Sequence, residues 1–224
     1  MDASSSATGD RAVVLLSGGL DSGTAAALWC AQGRAIALAL FADYGQRAVE
    51  REAESSMALA GRLGVPWRRI GLPWLAGLAA ASGSALVQGA SRPVPERSSG
   101  DPGDAESAAA VWVPARNLVL VAAAAAHAET LGATTVVVGF NREEAATFPD
   151  NSEAFVHALA SALRLATRAG LGIASPTQGM DKRGIVAAAR RLGFTQADFW
   201  SCYLGGAAPC GTCESCARSA RAWA

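Results

Sequence analysis

A short apolar segment that runs directly into a glycine-rich turn, and then into an alanine-rich helical stretch, constrains this fold more than any other feature. The turn reads Ser17-Gly-Gly-Leu-Asp-Ser22. At such a helix start, unpaired backbone N–H groups and the positive end of the helix dipole attract an anion. The glycines let the backbone curl around a phosphate without Cβ atoms in the way. The candidate phosphate-binding residues are therefore Leu16, Ser17, Gly18, Gly19, Leu20, Asp21, Ser22, Gly23 and Thr24.

The spacing of this turn separates it from two common phosphate-binding loops. No Gly-Lys-Ser/Thr follows, as a Walker loop requires, and the Gly-x-Gly-x-x-Gly of dinucleotide-binding folds is missing. The turn instead resembles the pyrophosphate loop of the PP-loop ATPases. That resemblance implies ATP binding at residues 16–24, with cleavage of ATP to AMP and pyrophosphate while an acid oxygen is adenylated. The alternative is a glycine-rich strand-to-helix turn without a ligand.

Length and charge limit the classes of protein that fit. The chain has 224 residues, enough for one α/β domain, and its 19 Lys and Arg balance its 19 Asp and Glu. A neutral chain lacks the basic face of an electrostatic nucleic-acid binder, so a small-molecule substrate is favoured. The longest apolar run, residues 118–126, is too short to span a bilayer, and residues 1–10 lack a signal-peptide pattern. We therefore expect a cytoplasmic protein with no membrane contact and a disordered segment 1–10.

Apolar segments alternate with stretches of helical periodicity from residue 11 onwards. The predicted strands cover residues 12–16, 35–41, 67–71 and 134–139. The predicted helices cover residues 22–32, 46–63, 116–131, 151–168 and 182–192. This alternation predicts an α/β fold in which a parallel twisted sheet carries helices on both faces. Ligands bind at the carboxyl ends of strands in such sheets, where the glycine-rich turn, residues 41–47 and residues 139–141 converge.

Residues 82–110 break this pattern. They are rich in Ser, Gly, Pro and charged residues, and they show no periodicity. We expect a mobile loop, which is either a lid over the crevice or a disordered insertion. The predicted ATPase domain spans residues 11–199, and residues 200–224 form a cysteine-rich tail packed on that domain.

Four cysteines in the tail predict a metal site. They form two overlapping Cys-x2-Cys pairs with one cysteine upstream, and they are Cys202, Cys210, Cys213 and Cys216. In a reducing compartment such a cluster favours metal ligation over disulfides. Four thiolates complete a tetrahedral shell for one structural Zn²⁺, and an iron–sulfur cluster is the alternative. The tail is therefore interpreted as a small, closed zinc knuckle.

Further segments, taken in order, resemble the 7-cyano-7-deazaguanine synthase family over nearly the whole chain. Besides the turn they are Asp43-Tyr-Gly-Gln-Arg47, Leu72-Pro-Trp-Leu-Ala-Gly-Leu78, Val113-Pro-Ala-Arg-Asn117, Gly139-Phe-Asn141, Phe148-Pro-Asp150, Pro176, Asp181-Lys182 and Trp200-Ser-Cys-Tyr203. The family uses ATP and ammonia to convert 7-carboxy-7-deazaguanine to 7-cyano-7-deazaguanine through an amide, and adenylation makes each of two oxygens a leaving group. The resemblance implies an ATP-dependent carbon–nitrogen ligase of queuosine-type biosynthesis that acts as a homodimer.

The resemblance implies catalytic roles for Asp21, Lys182 and Arg116. The phosphate loop, with Mg²⁺ near Asp21, would stabilise the charge that develops on pyrophosphate. Lys182 would approach the phosphates, and Arg116 would hold a phosphate or the substrate carboxylate. The alternatives are helix capping by Asp21 and ordinary surface positions for Lys182 and Arg116.

The implied substrate-binding residues follow the second strand or lie near the starts of later helices. They are Tyr44, Gln46, Arg47, Asn117, Phe148 and Asp150. A flat guanine-like base favours an aromatic wall against one face and an acceptor for its N–H donors. Phe148 suits the first role and Asp150 the second, and helix capping by Asp150 is compatible with that role.

The acceptor side departs from the family pattern, whereas the ATP side does not. Ala48 replaces a usual His, the usual Tyr-Pro-Asp-Cys-Arg reads Phe148-Pro-Asp-Asn-Ser152, Glu144 replaces Asp, and Ala115 replaces Gly. One alternative is therefore a relative that adenylates a deazaguanine carboxylate and couples it to an amine of a peptide, protein or metabolite. A third reading is a non-catalytic zinc-knuckle module that binds a partner, and the unspoiled phosphate loop argues against it.

Overall fold

In the computed structural model, which describes residues 10–96 and 105–224, five strands form one sheet. They are β1 (Arg11–Leu15), β2 (Ala35–Asp43), β3 (Trp67–Gly71), β4 (Thr135–Val137) and β5 (Gly172–Ala174). Their spatial order is β3-β2-β1-β4-β5, and every neighbouring pair runs parallel. The predicted parallel α/β class is confirmed.

Helices cover both faces of this sheet. They are α1 (Leu20–Ala31), α2 (Val49–Leu63), α3 (Pro73–Ala81), α4 (Ala105–Ala110), α5 (Arg116–Thr130), α6 (Arg142–Ala145), α7 (Glu153–Ala166), α8 (Lys182–Arg191) and α9 (Glu214–Trp223). Helices α1, α2 and α8 pack on one face, and α5 and α7 on the other. Successive side chains of β1 serve the two layers, because Val14 joins the first cluster and Val13 the second.

Local capping interactions fix where several helices begin and end. Gly64 has φ 69° and closes the C-terminus of α2 in the left-handed conformation. Ser152 begins α7 by accepting the backbone N–H of Phe155 on its hydroxyl at 3.1 Å. Asp181 begins α8 by accepting the backbone N–H of Gly184 at 2.8 Å, which makes Lys182 the first residue of that helix.

Several boundaries differ from the predicted ones, and one strand was not predicted. Helix α1 begins at Leu20 rather than residue 22, so Asp21 and Ser22 lie in its first turn. Helix α2 begins at Val49 rather than residue 46. Strand β5 has no counterpart among the predicted strands, because three half-buried residues carry too little periodicity to indicate a strand.

The segment predicted as a mobile loop, residues 82–110, is packed in part. Ala85 and Val87 are buried, and Leu86 and Val87 join an apolar cluster beside α3. Residues 84–87 are therefore packed rather than disordered, and α4 (Ala105–Ala110) lies in the same segment. Residues 97–104, at the centre of the segment, and residues 1–9, in the predicted disordered N-terminus, lie outside the described residues. Mobility and lid closure stay predictions.

The strand order reverses between β1 and β4, which creates a crevice at their carboxyl ends. Gly139, just after β4, lies directly against the first turn of α1. A Cβ atom at this position would lie 2.5 Å from the backbone nitrogen of Ser22. Only glycine permits this approach, so the turn after β4 rests on the phosphate-binding turn.

The tail returns to the same edge of the sheet. The backbone N–H of Trp200 donates to the carbonyl oxygen of Gly18 at 3.0 Å. The ring of Phe199 packs against those of Phe194 and Trp223, and α9 packs against α8. These contacts bring the cysteine-rich segment close to the crevice. Within the described part of the chain, no helix combines the length and apolar character that crossing a membrane requires.

Candidate active site

A cavity of about 340 Å³ opens at the carboxyl ends of β1, β2 and β4. Its walls come from the phosphate loop, the end of β2, the starts of α5 and α8, the turn after β4, and the tail with α9. Its volume lies in the range of small-ligand pockets, about 300–1,000 Å³. We call the part formed by the phosphate loop the phosphate end, and the part lined by Tyr44, Arg116 and Phe148 the acceptor end.

The phosphate end is the N-terminus of α1. Gly19 is the N-cap residue, so no side chain at that position occupies the first backbone amides of the helix. The hydroxyl oxygens of Ser17 and Ser22 lie 2.9 Å apart, and the backbone N–H of Ser17 donates to the Ser22 hydroxyl at 3.1 Å. Backbone amides and small hydroxyls therefore converge on one point, and this donor set suits a phosphate group.

Most of the predicted phosphate-binding residues line the cavity, but Gly18, Gly23 and Thr24 do not. Gly18, with φ 85°, abuts α2, and Gly23 abuts the ring of Phe199. Thr24 is fully buried. Gly18 and Gly23 pack against neighbouring elements and Thr24 is buried, so ATP contact by these three residues stays a prediction.

Four charged side chains form an ion-pair chain beside the phosphate loop: Asp21, Lys182, Glu144 and Arg218. The ammonium nitrogen of Lys182 lies 2.5 Å from Oδ2 of Asp21 and 3.0 Å from Oε1 of Glu144. Nη1 of Arg218 lies 2.6 Å from the same Oε1, and its Nη2 contacts Glu214. The structure therefore brings together Asp21 and Lys182, which lie 161 residues apart in the sequence.

Mutual charge keeps Lys182 and Glu144 of this chain ionised although both are buried. Burial alone would lower the pKa of Lys182, but the carboxylates of Asp21 and Glu144 outweigh burial and raise that pKa. Burial alone would raise the pKa of Glu144, yet Lys182 and Arg218 lower it to about 2. Burial raises the pKa of Asp21, and Lys182 offsets part of that rise. Two fixed cations thus stand beside the phosphate loop at neutral pH.

The acceptor end combines a cation with aromatic rings. Nη1 of Arg116 donates to the Tyr44 hydroxyl at 3.3 Å, and the guanidinium lies 5.9 Å from the centre of that ring. The rings of Phe148 and Trp112 stack with centroids 6.3 Å apart and planes inclined by 8°. Asn117, which is buried, lines the same end of the cavity. This surface can hold a flat, anionic ligand.

Gln46 lines the cavity, but its side-chain amide is hydrogen-bonded to other groups of the protein. Its Oε1 accepts the backbone N–H of Tyr44 at 2.9 Å. Its Nε2 donates to the carbonyl oxygen of Ala42 and to Oε2 of Glu52, both at 3.0 Å. Gln46 therefore orients Glu52 rather than offering a free amide to a ligand. Glu52 also lines the cavity, and burial raises its pKa to about 7.

Arg47, a predicted substrate ligand, is not part of the cavity wall. Its guanidinium donates to the carbonyl oxygens of Ala85 and Ala90, both at 2.8 Å, and to that of Arg92 at 3.1 Å. Substrate contact by Arg47 is not supported by this placement, because the guanidinium is used to fasten the segment after α3 to the end of β2.

Asp150, the predicted acceptor for the base, also lies outside the cavity wall. Its Oδ1 accepts from Nδ2 of Asn151 at 3.3 Å, and its backbone oxygen accepts from Nδ2 of Asn117 at 3.1 Å. Burial raises the pKa of Asp150, and the charge of Arg116 opposes that rise. The structure thus places Asp150 behind Asn117 and Arg116, where it supports the acceptor end rather than facing a ligand.

Ala115, which replaces the glycine usual in the resembled family, is strained. It is the N-cap of α5 and has φ 52° and ψ 22°, in the left-handed region. An L-residue with a Cβ pays about 1–2 kcal/mol there, whereas glycine does not. Ala115→Gly is therefore expected to raise the free energy of unfolding by about 1 kcal/mol, measured by urea denaturation.

A matched control for that substitution lies in α2. Ala58 is exposed on a regular helix, so Ala58→Gly should lower the free energy of unfolding by about 1 kcal/mol. A loss of stability in both variants would contradict the strain assigned to Ala115.

The sulfur atoms of the four tail cysteines converge. All four Sγ atoms lie within 4.8 Å of one another, in Cys202, Cys210, Cys213 and Cys216. Cys210 lies 3.5 Å from Cys202 and 3.9 Å from Cys216, and Cys213 lies 4.0 Å from Cys202. Sulfurs bound tetrahedrally at about 2.3 Å from a central ion are spaced by about 3.8 Å. The predicted four-cysteine cluster is confirmed, and it fits a single four-coordinate metal ion.

A phosphate loop at the switch point of a parallel α/β sheet, faced by fixed cations, defines an ATP-dependent enzyme of the PP-loop class. Comparison with known families agrees with that class. The chain belongs to the family described as queuosine biosynthesis protein QueC, which it matches over residues 11–224.

Individual relatives are similar along nearly their whole length. The 7-cyano-7-deazaguanine synthase of Desulforudis audaxviator is 44% identical over 214 residues, which cover 95% of this chain and 96% of that protein. The synthase of Pelotomaculum thermopropionicum is 45% identical over 216 residues, with 95% and 96% covered. Among solved structures, NMN synthetase from Francisella tularensis aligns with a TM-score of 0.48 and 16% identity, over 85% of this chain and 65% of that chain.

Sequence reasoning missed two charged residues of the cavity wall, Glu52 and Arg218, and it treated Glu144 only as a departure from a pattern. Each is one charged residue among several on a short helical stretch. The available signal was the pair Glu214 and Arg218, one helical turn apart and next to the metal ligands. That spacing alone does not reveal that the pair faces a cavity.

Proposed function

We propose that this chain converts 7-carboxy-7-deazaguanine to 7-cyano-7-deazaguanine with ATP and ammonia, through an adenylated carboxylate and an amide. The observation that carries the proposal is one cavity with a phosphate loop and fixed cations at one end and an aromatic, arginine-lined surface at the other. A nucleoside triphosphate and a planar acid can therefore meet there. The relatives named 7-cyano-7-deazaguanine synthase support this assignment.

The first half-reaction makes a poor electrophile reactive. A carboxylate oxygen of the substrate attacks the α-phosphorus of ATP, which forms an acyl adenylate and releases pyrophosphate. The phosphate-loop amides and Lys182 stabilise the charge that develops on the pyrophosphate. Ammonia then attacks the acyl carbon and loses a proton, and AMP leaves with the electron pair of the carbon–oxygen bond. The product is the amide.

The second half-reaction repeats the activation on the amide oxygen with another ATP. Departure of AMP from the adenylated amide, with loss of both nitrogen-bound protons, leaves the nitrile. Arg116 binds the substrate carboxylate, and the ring of Phe148, on which Trp112 stacks, covers a face of the base. Tyr44 and Asn117 complete the acceptor end. Glu52 takes the role of acceptor for the base N–H groups, since it lines the cavity.

The proposal includes two metals. Oδ1 of Asp21 is buried without a hydrogen-bond partner among the described residues, and a carboxylate oxygen beside phosphates is a ligand that Mg²⁺ accepts. Mg²⁺ at this position would neutralise phosphate charge. The four thiols suit Zn²⁺ in a structural role, one per chain. Clustered thiols persist in reducing compartments, which supports a cytoplasmic location. The homodimer expected from the family resemblance remains part of the proposal.

Incubation of the purified protein with ATP, 7-carboxy-7-deazaguanine and ammonium tests this function. Mass spectrometry should detect a product that has lost both carboxylate oxygens and gained one nitrogen. Two molecules of AMP should form for each molecule of nitrile. Reactions without ATP are the control. Release of AMP without nitrile would contradict the proposal, and an adduct with another amine would identify the diverged activity instead.

A further inference from the structure

We propose that Arg218, which the metal-binding tail carries, belongs to the ATP-binding machinery, and that Glu144 is a positioning residue for Arg218 and Lys182. The inference rests on the proposed function only in taking ATP as the ligand. It gives the tail a direct part in the chemistry, beyond holding a metal ion.

The placement of Arg218 is the first argument. It lies on α9, two residues after Cys216, and its side chain is only 17% exposed although arginine on a short surface helix usually faces solvent. Arg218 lines the cavity. Glu214, one turn earlier on α9, contacts Nη2 and holds the guanidinium from behind. Arg218 is thus aimed out of the tail and into the crevice.

A shared acceptor is the second argument. Oε1 of Glu144 accepts from Nζ of Lys182 at 3.0 Å and from Nη1 of Arg218 at 2.6 Å. One oxygen therefore sets two cations side by side, and Asp21 ties the same lysine to the phosphate loop at 2.5 Å. Groups held in this way need little reorganisation when charge develops on a phosphate. Glu144 acts through them and does not need to touch the nucleotide.

Unused donors are the third argument. A guanidinium carries five N–H groups and an ammonium three. Among the contacts of the described residues, the Arg218 guanidinium donates to Glu144 and Glu214. The Lys182 ammonium donates to Asp21 and Glu144. Both cations keep further N–H groups for phosphate oxygens, which arginine can bind in a bidentate manner.

The metal ligands determine where α9 begins. Cys213 is the N-cap of α9, and Cys216 lies in its first turn. The cluster of sulfurs therefore fixes the helix, and the helix fixes Arg218. A purely structural tie between tail and core would show the same contacts, so the test must separate ATP binding from folding.

The experiment compares Arg218→Met, Arg218→Lys and the control Arg221→Met, an exposed arginine on the same helix. Calorimetry measures ATP binding by the metal-loaded proteins, and steady-state kinetics measures KM for ATP and for the acid. We expect Arg218→Met to weaken ATP binding on the order of tenfold or more. The KM for the acid and the metal content should stay unchanged. Arg218→Lys should recover part of the loss, and Arg221→Met should match the unmodified chain.

Unchanged ATP affinity in Arg218→Met would overturn the proposal. If that variant loses its metal or melts early, Arg218→Lys decides, because it keeps the charge and the aliphatic stem but loses the planar fork. Weaker ATP binding by Arg218→Lys at an unchanged melting temperature supports the proposal, and unchanged binding overturns it. ATP binding is measured without the acid, so failure of the unmodified chain to form nitrile would leave this comparison interpretable.

Discussion

Asp21→Ala is expected to abolish AMP formation from ATP and the acid, with a fall in rate of about a hundredfold or more. Asp21 lies in the first turn of α1, lines the cavity and pairs with Lys182 at 2.5 Å. Its removal leaves Lys182 paired with Glu144 alone and takes away the carboxylate of the phosphate loop. The measurement is AMP release, followed by chromatography.

The metal content of the tail serves as an internal control for Asp21→Ala. The four cysteines do not contact Asp21, so elemental analysis should give the same metal content per chain as in the unmodified protein. Glu54→Ala, which removes an exposed carboxylate of α2, should keep full activity. Full AMP formation by Asp21→Ala would mean that the active site lies elsewhere.

Gly139→Ala is expected to damage the phosphate loop from the opposite side. An added Cβ would lie 2.5 Å from the backbone nitrogen and 2.6 Å from Cα of Ser22. Backbone atoms cannot rotate away, so the start of α1 must shift. Overpacking of this kind costs about 1–3 kcal/mol of stability, and a displacement of about 1 Å can reduce a catalysed rate on the order of a hundredfold. Urea denaturation and AMP release measure the two effects.

Gly61→Ala is the matched control for Gly139→Ala. A Cβ at Gly61 meets nothing within 4 Å, and the residue lies in regular helix, so alanine should stabilise the fold by about 0.5–1 kcal/mol. AMP release should not change. Normal activity in Gly139→Ala, at unchanged stability, would show that the turn after β4 does not support the phosphate loop.

Strong local signals made much of the fold predictable. Strands β1 and β2 are buried on both faces and therefore form continuous apolar runs. Each is followed by a helix of 12 or more residues, α1 or α2, which is long enough to be recognised. Strand β5 and the packing of residues 84–87 could not be predicted. The three half-buried residues of β5 show no periodicity, and neither do the few apolar residues at 84–87, which stand among Ser and Gly. Their structure depends on partners distant in the sequence.

The candidate site divides in the same way. The phosphate loop and the four cysteines could be predicted, because each works through contiguous or closely spaced residues. The positions of Arg47, Asp150 and Glu52 could not, since a side chain near a strand end can point into a cavity or away from it. Arg47 binds three carbonyl oxygens of a later segment, whereas Glu52 faces the cavity and is held there by Gln46.

The span of 161 residues between Asp21 and Lys182 has a consequence for biosynthesis. As the polypeptide emerges from a ribosome, its nucleotide-binding turn appears long before the helices that bear Lys182 and Arg218. A nascent fragment that stops short of α8 carries the turn with no counter-charge for Asp21. The charged groups around the turn are therefore complete only after translation has passed the cysteine knuckle, which makes assembly of this centre a late, chain-wide event.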